Sequence, residues 1–284
     1  MAYLIKSVTK DLGGFSVKRI IPNQLKKMVG PFVFIDHMGP ATFEAGQGIN
    51  VRPHPHIGLA TISYLLEGSM LHRDSLGSIQ EIRPGDVNWM TAGKGIVHSE
   101  RETIETRGSV HTLDGLQCWI ALPEDKVDME PSFQHIDREK LPYIHREKVL
   151  MRLIAGDAYN YTSPVKTYSP MFYLDAITES GAQVERPCGD SETACYIISG
   201  IVLIGEQEFT AGDFVILEDE RVMQTIENAR YFVIGGQALE KMPYLKWNFV
   251  AYSKEKIAEA EKRWSNGQFP SIPGDDQEFI PLPQ

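Results

Sequence analysis

The sequence predicts an all-β protein, two tandem antiparallel sandwiches or barrels followed by a short C-terminal helix and an extended tail. Three observations predict it. Short β-rich runs bounded by glycine and proline recur along most of the chain. Strongly periodic helical patterns are scarce before the last fifth of the sequence. The two halves also repeat one another in order and spacing.

From about residue 15 to 120 the runs include ATISYLL (60–66), DVNWM (86–90) and LQCWIAL (116–122), separated by turn residues. That spacing fits hairpins and meanders rather than βαβ units. A second set occupies about 168–235, with runs at 168–178, 193–199, 214–217 and 231–234. YLLEGSM at 64–70 parallels YIISGIV at 196–202, an offset of 132. RPGDVNWM at 83–90 parallels TAGDFVIL at 210–217, an offset of 127. In each half an apolar strand ends in a glycine turn, and a Gly-Asp turn then feeds another strand. Internal duplication accounts for both matches. Residues 1–125 are expected to form the first half and 166–240 the second. The polar, charged stretch 126–165 is expected to be the linker and the start of the second half.

Past residue 241 the pattern changes, and 241–284 is expected to form a helix and a tail packed on the barrels. Ser253 is placed to cap a helix, since its hydroxyl can accept from a backbone amide of the first turn. Ile257, Ala260, Glu261 and Trp264 recur at helical spacing and put two large apolar groups on one face. Asn266-Gly267 stops the helix. The tail FPSIPGDDQEFIPLPQ carries four prolines and is expected to run extended along the body.

Composition excludes several classes. At 284 residues, 42% hydrophobic and 23% charged, the chain can bury one large core or two ordinary ones. No apolar run approaches the roughly 20 residues of a membrane span. The start, MAYLIKSVTKDLGG, has neither the apolar core nor the cleavage pattern of a signal peptide, so a cytoplasmic protein without membrane contact is expected. The net charge of -10 opposes nucleic-acid binding, and the longest basic cluster is Lys26-Lys27. Cys118, Cys188 and Cys195 form no C-x-x-C pair, which argues against a disulfide framework or a zinc ribbon. AGKG at 92–95 lacks the remainder of a phosphate loop, and no G-x-S-x-G elbow is present.

The chemistry concentrates in two short motifs. In RPHPHIG (52–58), alternate residues of an extended segment share a face, so His54 and His56 project together. Pro53 and Pro55 hold their own φ near about -65° and bias the preceding residues toward extended geometry. Neither has an N–H, so the segment is a strand start or a sheet edge. His98-Ser99-Glu100 repeats the interval 44 residues on, after a reversal that Gly93 and Gly95 permit. Two such pairs on two strands of one closed barrel converge. Three imidazoles and a carboxylate suit a first-row transition metal and leave open positions for substrate, water or oxygen. By ligand type alone the ion is Fe, Mn, Ni, Co, Cu or Zn. His37, His72, His111, His135 and His145 are read as turn, loop or packing residues. The offsets carry the four ligands onto Arg186, Cys188, Thr225 and Glu227, so one metal per chain is expected, in the first half.

HPHIGLATISYLLEG, RPGDVNWMTAGKGIVHSE and PFVFIDHMGP resemble the signatures of the pirins, a bicupin family. The resemblance continues through WNFVAYSKEKIAEAEKRW and PGDDQEFIPLP and covers essentially the whole chain. It implies two cupin barrels of the double-stranded β-helix, or jelly-roll, type. It implies Fe(II) held by His54, His56, His98 and Glu100 and, for some members, quercetin dioxygenase activity. Glu100 is then expected to be catalytic as well, taking the proton of a flavonol 3-hydroxyl. Flavonol and dioxygen are the expected partners. The alternative is an iron-sensing regulatory pirin that binds a transcription factor or metabolic enzyme without turnover, and the acidic charge suits a basic protein partner. Two barrels in one chain satisfy each other's interface, so a monomer is expected. Many pirins carry an acid four places after the second histidine, where this chain has Ala60. Oxalate decarboxylases place their glutamate ligand five places after it, where this chain has Thr61.

Overall fold

The computed structural model describes residues 2–11 and 15–283. Its backbone contacts divide the chain into two units. One comprises Met1–Val8, Ile20–Phe32 and Glu139–Leu239, the other Thr9–Arg19, Val33–Arg138 and Glu240–Gln284. Both are built almost wholly of antiparallel strands, as expected for two cupin barrels.

The unit that carries both histidine motifs has two large sheets and a two-stranded one, Tyr244–Lys246 with Phe249–Ala251. The larger runs Ser132–Ile136, Val87–Thr91, Leu59–Glu67, His111–Ala121, Phe32–Phe43, Ser16–Ile21, Val8–Asp11. The smaller runs Asn50–His56, Ile96–Arg101, Met70–Asp74, Ile79–Ile82. Val17, Met38, Phe43, Leu65 and Leu113 from the first sheet meet Met70 and Ile82 from the second in one core cluster. Each such side chain stabilises the fold by about 1.5–3 kcal/mol on burial. The strand Asn50–His56 lies at the edge of its sheet, where a segment with two prolines belongs. Gly58 ends that motif for a steric reason. Its φ is +68°, and a Cβ there would sit 1.9 Å from the Val250 carbonyl oxygen. Gly93, at φ +51°, is under the same constraint from the Met129 carbonyl, 2.0 Å from a would-be Cβ.

The helix spans Lys254–Ser265, with the Ser253 hydroxyl accepting from Lys256 N and Asn266 at its end. Its buried face is Ile257 and Ala260. These pack with Ile57, Val97, Phe249, Phe269 and Ile272, so helix and tail belong to the metal-motif unit. Among the described residues no helix is long and apolar enough to cross a membrane. A one-turn helix at Ile104–Arg107, capped by Thr103, had no periodic signal because four residues are too few to show one.

The other unit is a ten-stranded sheet whose main path is Tyr3–Ile5, Phe214–Leu217, Glu192–Ile204, Val222–Gly236, Met171–Thr178, Val149–Ala158, Tyr143–Arg146. Bulges between Ile197 and Ile201 bend its longest pairing. Phe172, Leu174, Cys195, Ile197, Tyr231 and Val233 fill its interior. The stretch 126–165, expected to be the linker and the start of the second half, contains strands of both units. Ser132–Ile136 pairs with Val87–Thr91, while Tyr143–Arg146 and Val149–Ala158 join the ten-stranded sheet. In VLMRLIAGDA the buried and half-buried residues alternate at first, a strand signal that flanking charged residues conceal in the sequence.

Candidate metal centre

The two motifs lie on neighbouring antiparallel strands. His98 stands opposite His54 and Ile96 opposite His56, and the register shifts by a bulge between His98 and Glu100. All four candidate ligands are buried. The imidazole centroids of His54 and His98 are 4.4 Å apart, and His56 lies 5.0 Å from each. One ring nitrogen from each of the three falls within 4.8 Å of the others, a group able to hold a metal ion.

The proton on each ring follows from its other nitrogen. His54 Nδ1 is 2.9 Å from the Arg52 carbonyl oxygen, and His56 Nδ1 is 3.2 Å from that of Asn248. A carbonyl only accepts, so both nitrogens carry hydrogen and both Nε2 atoms are bare. The His98 tautomer is set by a second imidazole. His72 Nε2 donates to Asp74 Oδ2 at 2.9 Å, which leaves His72 Nδ1 as an acceptor facing His98 Nδ1 at 3.5 Å. In that tautomer His98 Nε2 is bare too, and it faces His56 Nε2 at 3.1 Å. Converging lone pairs with no proton between them repel, and a cation removes that repulsion. The donor set fits a metal.

Electrostatics agree. Burial lowers His54 to about pKa 4, and burial with the neighbouring imidazoles lowers His56 and His98 well below 6.5. The rings are neutral at physiological pH, as metal ligation requires. Burial pushes Glu100 the other way, up to about 7, against hydrogen bonds from Gln117 and Ser63. The Glu100 carboxylate is not part of the three-nitrogen group. It accepts from the Gln117 amide and, with His54, lines a cavity of about 640 Å3. That volume lies in the range of small-molecule sites. Phe34, Trp119 and Trp247 give the cavity aromatic walls, and Arg19 and Arg52 line it as well. Trp119 stacks on Phe34 at 3.9 Å and meets His56 edge-on at 5.0 Å. Arg19 lies 4.5 Å over the Phe34 ring and donates to both oxygens of Asp36 at 2.9 and 2.8 Å.

Four residues of the site lie outside the two ligand motifs. His72, read as a loop or packing residue, is buried and stacked on Phe133 at 4.3 Å, and it orients a candidate ligand. Its signal was present: His72-Arg73-Asp74 has the same i,i+2 interval as the two ligand motifs. Asp74 is held in turn by the amides of Leu76 and Ser78. Gln117 and Asn248 had no local signal. The remaining histidines lie elsewhere. His37 is in a strand rather than a turn, with Nε2 2.7 Å from Asp114 Oδ1. His111 pairs with Glu102 at 2.9 Å, His135 with Asn88 at 2.7 Å, and His145 is exposed. In the second unit, Arg186 donates to the Glu218 carbonyl and Thr225 to Thr178, while Cys188 and Glu227 are exposed.

Comparison with known proteins gives a consistent result. Residues 14–120 match the Pirin family profile, and residues 173–270 match that of the Pirin C-terminal cupin domain. A pirin-like protein of Caulobacter vibrioides is 42% identical over 281 residues, covering 97% of this chain and 96% of that one. The pirin of Homo sapiens is 33% identical over 258 residues, with 87% and 85% covered. A crystal structure of quercetin 2,3-dioxygenase from Acinetobacter baumannii superposes with a TM-score of 0.90 at 34% identity, covering 100% of this chain and 95% of that one.

Proposed function

The chain belongs to the pirin family, and from that premise we propose that it is an iron-dependent dioxygenase that opens the ring of a quercetin-type flavonol. The observation that carries this is the buried cluster of His54, His56 and His98 beside Glu100, opening onto an aromatic-walled cavity of about 640 Å3. The 34%-identical quercetin 2,3-dioxygenase structure supports the same reading. His54, His56, His98 and Glu100 would hold divalent iron, which would supply Lewis acidity and the oxygen chemistry. The rest falls to the protein. Glu100, buried at the cavity wall, is placed to take the 3-hydroxyl proton. Gln117 donates to one carboxylate oxygen and orients it. Phe34, Trp119 and Trp247 offer flat apolar surface to the flavonol rings, and Arg52 brings a cation to the lining, whereas Arg19 is paired with Asp36.

Aerobic, iron-loaded protein is expected to bleach quercetin with uptake of dioxygen and release of carbon monoxide. Iron-loaded protein that shows no turnover would sink the enzymatic reading and leave the regulatory one. A second expectation concerns His72. His72→Phe keeps a ring against Phe133 but removes the acceptor for His98 Nδ1–H. Metal affinity is expected to fall about 10–100-fold in a chelator competition. An unchanged affinity would reduce His72 to packing.

A further inference from the structure

The C-terminal tail grips the candidate ligand strands from outside. Asp275 Oδ2 accepts from Ser99 Oγ at 2.7 Å and from Arg101 Nε at 3.0 Å, and its Oδ1 accepts from Arg101 Nη2 at 2.9 Å. Arg101 also donates to Glu278 at 3.0 Å and to the Asn50 side chain at the start of the neighbouring strand. Five residues past Asp275, the Ile280 amide donates to the Pro53 carbonyl at 2.8 Å. Trp264 of the helix anchors that point by donating to the Ile280 carbonyl at 3.0 Å. Ile280 also lines the cavity.

These contacts fall where the ladder between Ile96–Arg101 and Asn50–His56 is interrupted. Alternation sends His98 and Glu100 to one face of their strand and Ser99 and Arg101 to the other, so a strap on the outer face reaches only the latter pair. The ladder between the two strands shifts register between His98 and Glu100, directly at Ser99. The opposing strand has prolines at 53 and 55, which cannot donate to any ladder. Ser99 is fully buried, and its bond to a carboxylate is charge-assisted and short. The strap meets each strand next to a ligand, at Ser99 between His98 and Glu100, and at Pro53 before His54.

We propose that Asp275 is a positioning residue of the metal centre, and that residues 275–280 form a strap that sets the spacing of the two ligand strands and the rim of the cavity. The inference rests on the reading that His54, His56, His98 and Glu100 hold a metal. The test is a Co(II) titration of metal-free full-length protein, read by the visible d–d spectrum, by the rate of Co(II) loss to a chelator, and by melting with and without Co(II). In Asp275→Ala, affinity is expected to fall about 10-fold or more, with a changed spectrum, faster release and a smaller Co(II)-induced rise in Tm. Asp275→Glu recovers part of each. Ser99→Ala, which removes one hydroxyl and disturbs the fold least, shows the same direction more weakly. The proposal is overturned if both alanine variants match wild type in spectrum and release rate, or if the metal-free and loaded forms lose equal Tm. Wild-type protein that binds no Co(II) would instead remove the metal reading itself, and this proposal with it.

Discussion

His98→Ala is expected to abolish stoichiometric metal binding and dioxygen-dependent turnover together. His98 stands between His54 and His56 on one side and the His72–Asp74 pair on the other. Its removal takes one of three converging nitrogens and leaves His72 without the ring it orients. The loss of affinity should exceed the roughly 100-fold that marks the upper end for removing an outer hydrogen-bond partner. Elemental analysis and oxygen uptake on the same preparation check it. Full metal content in the variant would show that the ion sits elsewhere. A pH dependence accompanies this. The folded pKa of His54 is depressed to about 4, with His56 and His98 also depressed, so protons compete weakly for these rings. In the metal-free protein the folded state binds fewer protons than the unfolded one below about pH 6.5, so stability contributed by the three rings is lost as pH falls toward 4.

Glu100→Gln is expected to do opposite things to the metal-free and metal-loaded protein. Burial raises the folded pKa of Glu100 from 4.5 to about 7, so stability tied to its protonated form is present below pH 4.5 and lost as pH rises through 7. At pH 8 the metal-free fold carries a buried carboxylate, at a cost on the order of 3 kcal/mol. Glutamine removes that cost, and the metal-free variant should melt higher than wild type at pH 8 and near wild type at pH 4.5. With metal the order reverses, because the variant gives up the anionic donor that the cation compensates. Melting curves at the two pH values, with and without metal, decide it. Equal metal-free Tm at pH 8 would show that Glu100 is solvated and no base of the kind proposed.

Much of this was legible because it is local. The pairing of His54 with His56, and its place on a sheet edge, depends on alternation and on proline's missing N–H within seven residues. The helix at 254–265 was equally legible, since cap, apolar spacing and stop all lie within fifteen residues. The individual strands within 126–165 were not legible, because charges outweigh a short alternation there and the pairing that makes them strands comes from other parts of the chain. His72 was passed over because one imidazole beside one carboxylate is chemically ordinary until a candidate ligand is seen 3.5 Å away.

The sequence by itself determined the all-β character, the two-barrel plan, the family, and the three histidines that meet. Only the tertiary structure decided what holds them. The Asn248 carbonyl that sets the tautomer of His56 lies 192 residues away, and the Asp275 carboxylate on Ser99 lies 176 residues away. The physical reason is that a ligand's identity is a property of one side chain and its interval on a strand. Its proton, its charge and its aim depend on whichever groups close-packing brings to its other face, and those are non-local.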